Sequence, residues 1–386
     1  MKVLSVIWKI SDDKLHGFSD DKTGLIVVRD LCEYLGRKVE SYLLLGKEYL
    51  PKTDLGNIHI VDTESVAEES AGKSRLEILA AAFEKALIEI RPDIVHVHDS
   101  GDFCRACMRI CCRKRIPYIF TAHSFIGKDQ KISVVEDRDI LWQEEVYTMP
   151  DIHVVSVSKG IMPKLTRDFP HLKPAQLCVI QNGTTFRFER IETDLKEKLG
   201  FQGKKLLICP GKITDRKNQM QVVRAFRILP KSVREKIGVL FCGNDRLEGR
   251  LQRAIKEAGL EDSLKYVGVL DSVQMKEYYS VSDGLIMPSR LEGLSIAALE
   301  ALACGLPVIM FSDIECAMDL DDENAICLVK ERTDEMLAEA VGNWALRDWD
   351  REAILQYSAR FTMERVAEEY IEYYRRVLNE AGNGKK

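Results

Sequence analysis

Two glutamates, Glu292 and Glu300, bracket the run Gly293-Leu294-Ser295-Ile296-Ala297-Ala298-Leu299, which follows the strand-like Gly284-Leu285-Ile286-Met287. A strand, a glycine turn and a helix starting near Ser295 would aim free backbone N–H groups and the positive end of a helix at a bound anion, an arrangement suited to a diphosphate. Glu292 lies just ahead of that helix and Glu300 about two turns inside it. One carboxylate can then meet the far end of a ligand while the other accepts hydrogen bonds from hydroxyls nearer its middle, as a vicinal diol offers them. The plain alternative is an amphipathic helix whose glutamates face water.

A second group of residues has matching chemistry. Cys209-Pro210-Gly211-Lys212-Ile213-Thr214-Asp215-Arg216-Lys217-Asn218 puts cations directly after a strand, where Lys212 and Lys217 could neutralise charge growing on a departing diphosphate. Standing alone, the segment reads as a solvated basic loop. His123 follows another strand and can exchange hydrogen bonds with a hydroxyl or stabilise developing charge, although a lone histidine is more often structural. His96 and His98 alternate along one strand and share a face. No third ligand accompanies them at a fixed spacing, so core or site lining is preferred to a metal centre.

These residues are carried by an alternation of short apolar runs and longer amphipathic segments, the pattern of a parallel sheet covered by helices. Strands are expected at 3–7, 39–45, 58–61, 94–98, 117–121, 152–157 and 177–180, with helices at 23–36, 74–90, 101–113 and 158–168. The second half repeats the pattern, with strands at 205–209, 237–242, 264–267, 284–287, 307–310 and 325–329. Its helices are expected at 217–229, 247–258, 273–280, 295–303 and 333–345. Several strands end in polar residues, and carboxyl ends are where parallel sheets bind ligands. The turn-rich Asn182-Gly183-Thr184-Thr185 places a hinge near Gly183, and 363–378 reads as a terminal helix, with or without a return to the first domain.

A chain of 386 residues suits two domains, and its 46% hydrophobic and 30% charged residues are those of a globular protein. A formal charge of -5 gives no general affinity for nucleic acid. No secretory signal or apolar run of bilayer-spanning length is visible, so a cytoplasmic protein is expected, with any membrane contact peripheral, at the inner face. Arg105, Arg109, Arg113, Lys114 and Arg115 line one side of the 101–115 helix, a stripe read first as a solvated face and second as a lipid-surface patch. The eleven cysteines read as reduced; Cys104, Cys107, Cys111 and Cys112 fall at helical spacing without a nearby histidine and suggest a buried helix face rather than a metal site. Asp319, Asp321 and Asp322 read as a solvated loop rather than a metal cluster.

Taken together, these motifs resemble the retaining glycosyltransferases of family 4. The strongest element is the Glu-x7-Glu pattern of Glu292 and Glu300 within Pro288-Ser289-Arg290-Leu291-Glu292-Gly293-Leu294-Ser295, followed by Glu300-Ala301-Leu302-Ala303-Cys304-Gly305-Leu306-Pro307-Val308. Gly211-Lys212, Lys217-Asn218, Tyr266-Val267-Gly268, Thr121-Ala122-His123, Ser156-Val157-Ser158 and Asn182-Gly183 support it. The resemblance implies an α/β protein of the GT-B fold, two Rossmann-like domains facing a central cleft, with the C-terminal helix crossing back. Residues 1–183 would form the acceptor-side domain, joined by 364–386, and 184–363 the domain that binds the nucleotide sugar.

Position by position, the resemblance implies that Glu300 holds the donor ribose, Glu292 contacts the donor sugar, and amides of Gly293, Leu294 and Ser295 surround the diphosphate. Lys212 and Lys217 would bind that diphosphate, Val269 and Leu270 would lie beside the base, and His123 would face the transferred sugar. No metal and no cofactor are implied beyond the co-substrate, for which a UDP-sugar is expected from family frequency; the acceptor would be a glycan, a lipid-linked sugar or a small molecule. Two departures stand out. Lys212 replaces the family's usual arginine, keeping charge but losing bidentate geometry, and the usual amino-terminal glycine pair is missing from the 11–24 loop, where Gly24 is the one counterpart. A catalytically silent nucleotide- or glycan-binding partner is the competing reading, answered by the intact set Glu292, Glu300, Lys217 and His123. A nicotinamide-dependent dehydrogenase lacks its G-x-G-x-x-G turn after the first strand.

Overall fold

The computed structural model describes residues 1–8, 26–46, 56–61, 73–128, 137–186 and 191–383. The expected loop at 11–24, including Gly24, lies outside them. The described residues up to Gly183, together with those from Met363 onward, form one compact unit, and Thr184–Thr362 forms another.

In the first unit the order is β1 (Lys2–Ile7), α1 (Ile26–Gly36), β2 (Glu40–Leu45), β3 (Ile58–Ile60), α2 (Arg75–Ile90), β4 (Ile94–Val97), α3 (Asp102–Lys114), β5 (Tyr118–Ala122), α4 (Asp137–Tyr147), β6 (His153–Ser156), α5 (Ile161–Asp168) and β7 (Leu177–Val179). The strands pair in parallel in the order β3-β2-β1-β4-β5-β6-β7. Helices cover such a sheet on both faces, so its strands are continuous apolar runs rather than alternating ones: Val3, Leu4 and Val6 are fully buried. α2 starts where it does because Ser74 and Glu77 form a reciprocal capping box, the Glu77 N–H donating to Ser74 Oγ at 3.3 Å and the Ser74 N–H to Glu77 Oε2 at 2.8 Å.

The second unit runs α6 (Leu195–Lys198), β8 (Lys205–Pro210), α7 (Gln219–Ile228), α8 (Lys231–Arg234), β9 (Ile237–Cys242), α9 (Arg250–Glu257), β10 (Leu264–Tyr266), α10 (Ser272–Val281), β11 (Gly284–Met287), α11 (Ile296–Ala303), β12 (Val308–Phe311), β13 (Ile326–Val329), α12 (Asp334–Leu346) and α13 (Arg351–Ser358). Its parallel sheet has the order β10-β9-β8-β11-β12-β13. The order reverses between β8 and β11, the topological switch point at whose carboxyl side doubly wound sheets open a crevice. In the first unit the reversal falls between β1 and β4. The last helix, α14 (Met363–Asn383), belongs to the first unit, where it packs on α1 and where Tyr370 and Tyr374 are buried.

Three expectations are corrected. α4 occupies a stretch to which the sequence pattern assigned no element; Val146 and Tyr147 are buried, the Tyr147 ring packing against Phe120, Phe125 and Phe169. α4 also changes the basic stripe on α3. Arg105 is 5% exposed rather than solvated, paired with Asp102 and, at 3.4 Å, with Glu145 of α4, with its guanidinium 4.8 Å from the Trp142 ring centre. Arg109 also pairs with Glu145, while Arg113 and Lys114 share Glu84 at 3.8 and 3.5 Å. The third concerns Asp319, which is fully buried because α13 covers it: the Tyr357 hydroxyl donates to its carbonyl oxygen at 3.1 Å, whereas Asp321 is exposed. Cys104, Cys107 and Cys111 are buried on the inner face of α3, and burial pushes each thiol up. Among the described residues no helix is long and apolar enough to cross a membrane.

Candidate functional site

β8 and β11 flank the reversal in the second sheet, so the loops leaving their carboxyl ends start side by side. The first carries Lys212 and Lys217. Gly211 has φ 134° and Gly243, leaving β9, has φ 134° as well; a Cβ on Gly243 would lie 2.2 Å from the Gly211 carbonyl oxygen. Glycine is therefore required where these backbones touch. The loop is then braced internally: Gln219 receives the Thr214 N–H at 3.3 Å and donates to the Lys212 carbonyl at 3.0 Å, and Thr214 Oγ1 receives the Lys217 N–H at 3.1 Å. α7 begins at Gln219, two residues later than its periodicity implied, because Asn218 adopts a left-handed conformation with φ 57°.

The second loop joins β11 to α11. It is tied to the first by the Arg290 N–H, which donates to the Arg216 carbonyl at 2.8 Å, and by Asn218 Nδ2, 3.3 Å from the Pro288 carbonyl. Glu292 is 8% exposed and its Oε1 pairs with Lys217 Nζ, while the Lys217 methylenes run over Gly211. Burial alone would raise the Glu292 carboxyl, but the Lys217 and Arg216 cations outweigh it and hold the group below the ordinary glutamate range. Ser295 caps α11 in an extended conformation without using its hydroxyl for the cap. In the second turn of α11, Glu300 Oε2 accepts from the Tyr279 hydroxyl at 3.1 Å, and burial followed by the nearby Glu300 pushes that phenol up.

Lys217, Glu292 and the start of α11 thus come together, with Lys212 half-buried on the adjoining loop and Glu300 farther along the helix. Of the pair past β10, Val269 is 40% exposed, whereas Leu270 is 3% exposed with its side chain in the core. Leu294 is also buried, at 4%. Several supporting groups escaped sequence reasoning. Tyr279 orients Glu300; Arg332, past β13, donates to the Pro288 carbonyl at 3.1 Å; and Glu315, past β12, accepts the Glu292 N–H at 3.3 Å. For Arg332 and Glu315 the one available signal was their position beyond the carboxyl ends of strands, shared by many solvated side chains, and Tyr279, inside α10, carried none.

In the first unit, His98 and His123 lie at the carboxyl ends of β4 and β5. His98 Nδ1 is 3.3 Å from His123 Nε2, and His123 is half-buried with an unpartnered, buried Nδ1. Burial pushes His123 down to about 3 and also lowers His96 and His98, so all three are neutral at pH 7. The His96 and His98 rings do share a face, with centres 3.7 Å apart. His96 is a structural group: its ring nitrogens meet Tyr374 Oη at 2.7 Å and Thr121 Oγ1 at 2.6 Å, and Thr121 meets Tyr370 Oη at 2.9 Å, tying α14 to the sheet. No cluster of three or more metal-ligating side chains occurs among the described residues.

Two Rossmann-like units with parallel sheets of these orders define the α/β GT-B architecture of glycosyltransferases. Comparison with known proteins agrees. Residues 191–361 match the family "Glycosyl transferases group 1", and residues 26–186 match "Glycosyltransferase Family 4". An uncharacterised glycosyltransferase of Methanocaldococcus jannaschii is 23% identical over 307 residues, covering 75% of this chain and 77% of that protein. Among solved structures, sucrose-phosphate synthase from Thermosynechococcus elongatus superposes with a TM-score of 0.76 at 18% identity, over 98% of this chain and 100% of that one. Anabaena HepE in complex with UDP gives 0.72 at 14% identity, over 96% and 99%. The chain belongs to the group 1, family 4 type of glycosyltransferases, and it is an enzyme of sugar transfer.

Proposed function

We propose that this glycosyltransferase takes its sugar from a UDP-sugar, bound to the second unit, and passes it to a hydroxyl of a glycan, lipid-linked or small-molecule acceptor with retention of anomeric configuration. The observation that carries the reading is the meeting of Lys217, Glu292 and the amino end of α11 beside the sheet's switch point. When the bond between the anomeric carbon and the diphosphate breaks, negative charge builds on the departing oxygen. Lys212, Lys217 and the helix amides are the groups that stabilise it, and no metal ion is needed for that. Lys217 has three N–H donors, so it can reach the diphosphate while keeping Glu292. Glu292 contacts the donor sugar, Glu300 accepts from the ribose hydroxyls, Val269 offers an apolar contact to the base, and His123 serves the transferred sugar. The UDP complex of HepE supports uridine as the base.

Thermal-shift measurements against uridine, guanosine and adenosine diphosphates test the donor; a ligand at about one hundred times its Kd adds roughly 2.7 kcal/mol of stability. UDP is expected to stabilise most, and Glu300→Ala to remove most of that gain. Transfer assays with the matching sugars follow, with and without chelator. If no nucleoside diphosphate stabilises the protein, the reading is lost. A chain that binds nucleotide but neither transfers nor hydrolyses any donor is instead a silent partner, and activity abolished by chelator and restored by a divalent ion overturns the metal-free mechanism.

A further inference from the structure

The peptide between β11 and α11 is hydrogen-bonded from one side at two points, both supplied from beyond the carboxyl ends of β12 and β13. Arg332 donates to the Pro288 carbonyl at 3.1 Å and is itself held by Asp313, its Nε lying 2.9 Å from Oδ2. Glu315, the first residue of the short 3-10 turn Glu315–Met318, accepts the Glu292 N–H at 3.3 Å. The Ser295 amide faces the sulfur of the adjacent Cys316. Glu315 is 3% exposed and Cys316 fully buried, so water does not compete for the Glu292 amide. Burial, then the Glu292 and Glu315 carboxyl groups, push the Cys316 thiol well up, which keeps the sulfur neutral.

We propose that the Glu315-Cys316 turn is the positioning element of the donor site: Glu315 ties the Glu292 end of the 292–295 peptide, Cys316 backs its Ser295 end, and the turn thereby sets where the Glu292 carboxylate and the intervening backbone lie. Neither residue needs to touch the donor. This rests on the donor-site reading above, and it assigns a role to two side chains which that reading leaves unused. The physical reason is that a glycine-containing loop samples many conformations unless its amides are tied, whereas transfer demands that Glu292 be held to within a fraction of an ångström.

The test pairs local exchange with a mutant cycle on the full chain. In hydrogen-exchange mass spectrometry, peptides covering 288–296 should exchange faster in Glu315→Ala than in the parent, while Glu315→Gln, which keeps an acceptor, should resemble the parent. That measurement does not depend on activity, so an inactive parent chain with this exchange pattern would sink the donor-site reading and leave the positioning role standing. In transfer assays, Glu315→Ala should lower kcat by about tenfold to hundredfold. On a Glu292→Ala background the same change should cost less than about twofold, because the group being positioned is gone. Cys316→Ala, a smaller perturbation, provides the second variant should Glu315→Ala fold poorly, and it should raise exchange at 295–297. Parent-like exchange in both alanine variants, equal damage from Glu315→Gln and Glu315→Ala, or full additivity with Glu292→Ala would each overturn the proposal.

Discussion

Lys217 and Glu292 form an ion pair across 75 residues of sequence, the cation leaving β8 and the carboxylate leaving β11. Their side chains are 18% and 11% exposed, so each is the main compensation for the other's desolvation. Lys217→Ala is expected to lower kcat about a hundredfold with donor KM changed by less than about threefold, since the lost charge acts mainly on the leaving group. Steady-state kinetics with the cognate donor provide the check. A KM effect larger than the kcat effect would assign Lys217 to ground-state binding instead.

The same pair gives a pH dependence. Glu292 titrates below its unfolded value, so its contribution is present above the ordinary glutamate range and is lost as pH falls through the lowered folded value. Melting temperatures followed from pH 6 to pH 3 should therefore decline less steeply in Glu292→Gln than in the parent, after allowing for the variant's lower starting point. An unchanged slope would show that the pair does not stabilise the fold.

Tyr279 holds Glu300 by a single hydrogen bond inside the second unit. Tyr279→Phe removes this partner of the carboxylate and should weaken nucleoside diphosphate binding by about three- to tenfold, while Glu300→Ala should weaken it more. Calorimetric titration distinguishes the two, and a Tyr279→Phe loss exceeding that of Glu300→Ala would reverse their assigned order.

Gly243 touches the Gly211 carbonyl closely enough that a methyl group must move backbone, and its φ of 134° is unfavourable for any other residue. Gly243→Ala should cost at least about 2 kcal/mol of stability and, by shifting Gly211-Lys212, lower kcat about tenfold. Denaturant unfolding and kinetics on the purified variant measure both effects.

His96, His98 and His123 have folded-state values below the ordinary histidine range. The unfolded chain binds protons that the folded unit does not, so stability is present above about pH 6.5 and is lost as pH falls toward the lowered values. Each histidine contributes a slope of up to about 1.4 kcal/mol per pH unit in that window. Unfolding of the first unit followed at pH 7.5 and pH 5.5 should show the loss, and His123→Gln should reduce it.

Much of the fold was legible because parallel strands buried on both faces are apolar runs, and the amphipathic helices between them repeat with a period that local sequence records. The alternation therefore determined two Rossmann-like units. Glu292, Glu300 and Lys217 stood out because a strand end, a glycine and a helix start form a local arrangement visible within a dozen residues. Other features depended on what the sheet order brought together. Only the adjacency of β8 and β11 pairs Lys217 with Glu292, and only the neighbouring β12 delivers Glu315 to the amide of Glu292. Likewise α4 decided that Arg105 is buried, and the core of the second unit decided that Leu270, unlike Val269, turns inward. Sequence specifies which groups are available and how each segment prefers to fold. Partners far apart in the chain are selected by strand order and packing, to which neither periodicity nor residue type gives access.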